Sequence, residues 1–381
     1  MIRSITAAMA AILLLTGCLT LTPSRQTGPW TLFLDEKTGL YGYRDAEGKI
    51  RIPPKFIMAG SQQFNSITAV VEQTGEEDFQ GYYLLKTGEK VGAGCLYLWD
   101  NSPDCECEGK IRFRDAETDR VGFFDARGRV VIPAEYSDAR PFRNNLAVVL
   151  KDARRICPDG TPWSADSGPC EHWQWQGGRA LLIDPENRVM IEDFPYTDGL
   201  DWFSLRFSEA ADPDPLRESF KATDGRYVSF VNFEKAFAHW LESAFLASDT
   251  PDALERSAFT EITYWDEGAG QWQQEPKDRF LKKTGDKMLR VLGRIRNGAL
   301  EYEIHGNSLG LNPFIFQSNL YAAYFDACGN HMDWQYPVFD LVVSYRDQGA
   351  GGGISHQDVF EFLRTVDGVY RLVSVSMRAS P

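Results

Sequence analysis

Gly39-Leu40-Tyr41-Gly42-Tyr43-Arg44-Asp45-Ala46-Glu47-Gly48-Lys49-Ile50-Arg51-Ile52-Pro53-Pro54-Lys55-Phe56 returns, degraded, as Arg120-Val121-Gly122-Phe123-Phe124-Asp125-Ala126-Arg127-Gly128-Arg129-Val130-Val131-Ile132-Pro133-Ala134-Glu135-Tyr136. Gly42, Asp45, Gly48, Ile52, Pro53 and Phe56 stand 80 residues before Gly122, Asp125, Gly128, Ile132, Pro133 and Tyr136. Both stretches run on to an aromatic, Phe64 or Phe142, and then to Ala69-Val70-Val71 or Ala147-Val148-Val149. The unit is a short strand, an Asp-x-x-Gly turn with glycine available for positive φ, and a second β-branched strand. Proline ends that strand because it cannot donate to a ladder. A loop and an Ala-Val-Val strand follow. One unit is too small to bury a core, so units must pack on one another. Two weaker copies fit the pattern, at Gly81–Val91 and Ala180–Ile191.

These stretches resemble the bacterial WG-repeat (KWG-like) family over residues 31–207. The Trp-Gly pair of the family stands here as Tyr41-Gly42 and Val121-Gly122, without its tryptophan. The resemblance implies an all-β repeat array that presents surfaces for binding; it implies no defined chemistry.

Residues 1–17 have the form of an export signal: Arg3, an apolar run from Ile5 to Leu15, then small residues. The run is too short for a spanning helix, which needs roughly 20 residues. Leu15-Thr16-Gly17-Cys18 resembles the bacterial lipobox, which implies cleavage before Cys18 and lipidation of its thiol by palmitate-like chains. Leu19 is not aspartate, so the same resemblance points to the outer membrane, facing the periplasm or the surface. Residues 18–30, with Pro23, Ser24, Gln26 and Pro29, form a polar tether. The chain carries a net charge of −14, which argues against nucleic acid and against adsorption on anionic lipid.

Seven cysteines are present. With Cys18 lipidated, an even set remains, as suits disulfides in an exported protein. Cys157 and Cys170 flank a loop rich in proline, glycine and serine and form the first candidate pair. Cys95 with Cys105 or Cys107 is the second. Cys105-Glu106-Cys107 has a redox-like or metal-like spacing, but no second pair with zinc-like spacing accompanies it, so a structural use is expected.

The polar stretch 208–228 is the expected linker. Beyond it, in residues 229–381, the period changes. Apolar residues at 233, 237, 240, 241, 244 and 245 make a helical stripe. Asp249-Thr250-Pro251 caps a second helix, and a third short helix is expected over 276–283. Strands are expected at 289–296, 300–305, 319–325, 338–345, 359–365 and 370–377, the last two joined by Val366-Asp367-Gly368. This pattern predicts an α+β domain with a curved antiparallel sheet. It resembles the nuclear-transport-factor-like cone, which implies a pocket between helix and sheet.

Chemistry in that pocket would fall to His239 with Glu242, three apart on a helix, and to His305 and His356. Asp326, His331 and Asp333 lie near Cys328 in what reads as an exposed polar loop rather than a metal site. No Gly-x-Ser-x-Gly, His-Glu-x-x-His or phosphate-loop motif occurs. The expectation is therefore a lipid-anchored envelope protein without catalysis, cofactor or metal, which binds an envelope protein or glycan through its β repeats. The alternative is a periplasmic enzyme or small-ligand carrier using the C-terminal pocket.

Overall fold

Each Asp-x-x-Gly motif closes a turn with the same hydrogen bonds. The Gly48 and Gly128 amides donate to the Asp45 and Asp125 carbonyls at 3.0 and 2.9 Å, and their φ angles are +82° and +73°. The aspartate Oδ1 accepts the amide two residues beyond the middle of the turn, from Lys49 or Arg129. Leu85–Glu89 repeats the backbone bonds, and Asp184–Arg188 repeats both these and the side-chain one. In the last, Asn187 takes the left-handed position at φ +64°, which asparagine tolerates better than most residues.

The glycine before each turn has a different reason. A Cβ on Gly42 would lie 2.6 Å from the Ile52 carbonyl oxygen, and on Gly122 2.5 Å from that of Ile132. At both places the register shifts: Tyr41 pairs Phe56 while Tyr43 pairs Ile52, and Val121 pairs Tyr136 while Phe123 pairs Ile132. The Ile-Pro strand bulges toward the glycine, and only a residue without a side chain admits it.

The computed structural model describes residues 28–75, 78–163, 170, 172–196, 199–266, 268–307, 309–346 and 353–377. The chain is mostly β, with 47% strand and 13% helix, in several antiparallel sheets. The expected signal segment, Cys18 and most of the tether lie outside the described residues. Seven strands from Trp30 to Val91 form the first sheet. Lys110–Arg114, Val121–Asp125 and Val130–Tyr136 form the next, then Asp138–Ala139, Ala147–Lys151, Arg179–Ile183 and Val189–Glu192 another. Apolar clusters succeed one another between these sheets, centred on Tyr43 and Phe56, on Tyr83 and Phe124, and on Phe123 and Phe142.

Asp104 to Glu108 is stitched residue by residue to its surroundings. Asp104 ion-pairs buried Arg112, Glu106 accepts the Ser66 and Ile67 amides, and the Cys107 thiol donates to the Phe142 carbonyl at 2.9 Å. Glu108 accepts the Asn144 and Asn145 amides.

The expected linker at 208–228 folds instead. Arg217–Lys221 pairs with Tyr227–Asn232, which also pairs with Leu200–Ser208. The buried Arg217 guanidinium, bound to Asp212 and Ser229, holds the polar stretch in place.

In the last part, Phe233–Trp240, Leu241–Phe245 and Pro251–Ser257 are helical, with Thr250 as the cap. A 20-residue helix, Lys277–Arg296, replaces the short helix and the strand expected at 289–296. Residues 319–325 hold only a short 3₁₀ turn, Ala322–Tyr324, where a strand was expected. The six-stranded sheet runs Gln271–Pro276, Ala258–Asp266, Tyr370–Ser376, Ile354–Arg364, Val338–Arg346, Tyr302–Gly306. Its pairings are antiparallel except that of Ala258–Asp266 with Tyr370–Ser376, which is parallel. Helices cover one face through Phe237, Leu241 and Met288. The segment 309–336 covers the other through Leu311, Phe316, Tyr321 and Tyr324. No helix among the described residues is long and apolar enough to cross a membrane.

Candidate functional site

The residues proposed for a C-terminal catalytic pocket do not converge. His239, near the end of Phe233–Trp240, and Glu242, on Leu241–Phe245, are both exposed. His305 is exposed beside Glu303 on the edge strand. His356 stacks face to face on Tyr345, ring centroids 4.1 Å apart. The space between helices and sheet is filled by Phe237, Phe339, Phe362 and Tyr370. A cleft of about 200 Å³ at one edge is lined by Tyr264, Trp265, Phe280, Lys283 and Met377, none of them a predicted site residue. Two of these, Lys283 and Tyr264, hydrogen-bond the Glu275 carboxylate, which they hold low.

The cysteines pair as follows. Cys157 is bonded to Cys170, with Cα atoms 5.8 Å apart. Cys105 is bonded to Cys328 across 223 residues, not to Cys95. Cys95 and Cys107 are thiols. Sequence spacing favours near partners; the fold brings the 326–331 turn onto the 104–108 segment, with the Gln63 amide donating to the Ala327 carbonyl at 2.8 Å. Cys105, Asp326 and Cys328 approach as metal ligands would, but both sulfurs are spent in the disulfide. The Asp326 Oδ1 accepts the Cys328 and Asn330 amides of its own turn.

An aromatic site missed by sequence reading lies on the hairpin of Arg154–Ile156 and Gln174–Gln176, stapled by Cys157–Cys170. The Arg155 guanidinium lies 4.6, 4.7 and 5.2 Å from the rings of Trp163, Trp173 and Trp175. Trp173 meets Trp163 and Trp175 with centroids 6.5 and 5.2 Å apart. Such cation–π contacts fix the rings without hiding them, and all three tryptophans stay half-exposed.

The hairpin is anchored from below. The Trp175 Nε1–H donates to Asp138 Oδ2 at 3.3 Å, and Arg155 Nη1 lies 3.3 Å from Asp119 Oδ2. Asp138 is buried and also accepts the Tyr97 and Tyr196 hydroxyls. The aromatic faces are therefore pre-organised on a rigid sheet, which lowers the entropy cost of binding. Exposed Arg154, His172, Gln174 and Gln176 flank them with polar groups. Three of the chain's ten tryptophans fall within 163–175, and that density, in and just after the Cys157–Cys170 insertion, was the available signal.

A second concavity of about 520 Å³ lies between the first strand, Met58, Pro103 and the Cys328 turn. No curated protein matches the chain. Residues 122–154, from the bulge-facing glycine to the first residue of the tryptophan hairpin, match the sequence family described as the WG containing repeat.

Proposed function

We propose that the protein is a lipid-anchored recognition protein of the cell envelope, without catalysis of its own, that binds an envelope glycan or protein through its WG-like β region. In this reading residues 31–207 act as a repeat array and the α+β part from 229 onward is a second body attached to it. The observation that carries the reading is the hairpin of Trp163, Trp173 and Trp175 around Arg155. Tryptophan and arginine are enriched in binding hot spots, and indoles bury much area at low entropy cost. Flat indole faces flanked by amides and a guanidinium suit the apolar faces and hydroxyls of a sugar ring, so glycan is the first ligand class to test. The lipobox at Cys18 supports the envelope and the anchor. The test is co-sedimentation with isolated peptidoglycan sacculi. Trp173→Ala is expected to weaken binding about tenfold or more, in line with a loss of 1.4 kcal/mol or more. Equal sedimentation of parent and variant would remove the hairpin from the account.

A further inference from the structure

Between Gly306 and Phe325 the sequence contains no charged residue and no histidine, in a chain where 25% of residues are charged. The segment is anchored: Leu311, Phe316, Tyr321 and Tyr324 are buried against Val338, Leu363 and Val373. Yet Leu309 is 88% exposed and Phe314 83% exposed, the two most exposed large apolar side chains described. Two asparagine turns hold them out. Asn307 Oδ1 accepts the Leu309 amide at 3.1 Å, and Asn312 Oδ1 accepts the Phe314 amide at 2.9 Å. The Phe316 amide closes the second turn on the Asn312 carbonyl at 2.9 Å. Rigid apolar tips on an uncharged loop mark an interaction surface rather than a core.

Two facts identify what this surface meets. The first is where the chain enters the fold. The first strand, Trp30–Asp35, pairs with Gln63–Phe64, and Gln63 is hydrogen-bonded to Ala327. Asn330 lines both the concavity beside that strand and the smaller one beside Leu309, Leu311 and Pro313. The entry strand and the Leu309 tip therefore border two hollows that share Asn330. From Cys18 to Trp30 the chain reaches at most about 40 Å at roughly 3.3–3.6 Å per residue. A lipid on Cys18 would hold this region against the bilayer. The second fact is charge. An acidic protein gains nothing from anionic headgroups, so contact with lipid needs a segment without carboxylates; residues 306–325 carry none, and Asp333 lines the hollow behind Leu309.

We propose that the 306–325 loop is a membrane-docking element, with Leu309 and Phe314 entering the bilayer that carries the Cys18 anchor. It rests on the lipoprotein reading for its setting, but its chemistry is independent of acylation. Docking fixes which face of the protein turns to the lipid; the acyl chains alone would leave it free to swivel.

The test uses the chain from residue 19 onward, which keeps every described element and core, in flotation with neutral phosphatidylcholine vesicles over a lipid titration. The parent is expected to float, to resist 0.5 M NaCl, and to lose about tenfold or more in partitioning in Leu309→Ser/Phe314→Ser. Both positions are exposed, so an unchanged Tm confirms that the variant is folded. A parent that stays with the soluble fraction, or a double variant that floats equally, overturns the proposal; the first of these leaves a protein partner as the occupant. Acyl labelling at Cys18, run separately, decides the anchor: labelling without flotation sinks docking alone, and flotation without labelling sinks the anchor alone.

Discussion

Gly122 shows how a single position can be legible as a pattern and opaque in its cause. The repeat marked it, but only the register shift opposite Ile132 explains it. Gly122→Ala would push a methyl group into backbone and is expected to cost about 2–3 kcal/mol, the usual penalty for overpacking. Urea titration checks this, and a cost under 0.5 kcal/mol would contradict the bulge account. Asp340 was invisible in the sequence because its neighbours come from other strands: Glu361 lies directly across, and one Asp340 oxygen has no partner. Burial, with Glu361 adding to it, pushes the Asp340 carboxyl up to about 6. The fold therefore disfavours the carboxylate. That penalty is absent below the unfolded value near 3.8, grows between pH 4 and 6, and is full above 6. Asp340→Asn removes it. Its Tm should equal the parent's near pH 4 and exceed it by a few degrees at pH 7.5, from about 1–2 kcal/mol once solvent screening is allowed for. A lower Tm at pH 7.5 would refute the assignment.

Among the elements, the hairpin units were readable because turn chemistry is local: Asp45, Asp125 and Asp184 each cap their own turn. Lys277–Arg296 was read as a helix plus a strand. Gly285 and Gly293 interrupt its pattern, and Val291-Leu292 mimics a strand core, although Phe280, Met288, Val291, Leu292 and Ile295 all bury on one helical side. Prolines at 213 and 215 disguised a sheet as a linker, since the buried Arg217 that holds it there cannot be foreseen from spacing. The tryptophan hairpin is stapled at its loop end by Cys157–Cys170. In the chain-entropy model, closing a loop of this size contributes about 3 kcal/mol. Cys170→Ser should therefore speed amide exchange at Arg154–Ile156 by at least tenfold while leaving Ala147–Lys151 protected. Unchanged exchange in the hairpin would mean that Asp138 and Asp119 hold it without the staple.

Across the whole molecule, the Cys105–Cys328 bond, the Arg364–Asp201 ion pair at 2.9 Å and the Gln63–Ala327 hydrogen bond join the two halves. No local pattern could announce a bond spanning 223 residues. Cys328→Ser is expected to destabilise by up to about 5 kcal/mol in the same entropy model, read as a lower Tm that reductant no longer changes at this site. A Tm equal to the parent's would show that the interface stands without it. These links leave the half-exposed tryptophan hairpin on a body whose two halves are joined. The most direct measurement of the recognition claim is in-cell photo-crosslinking from position 163, beside Trp173, in the full-length chain, with exposed Val130 as the control position. Adducts to envelope glycan or to one envelope protein are expected from 163, absent from 130 and lost in Trp173→Ala. Equal or absent adducts at both positions would contradict that claim.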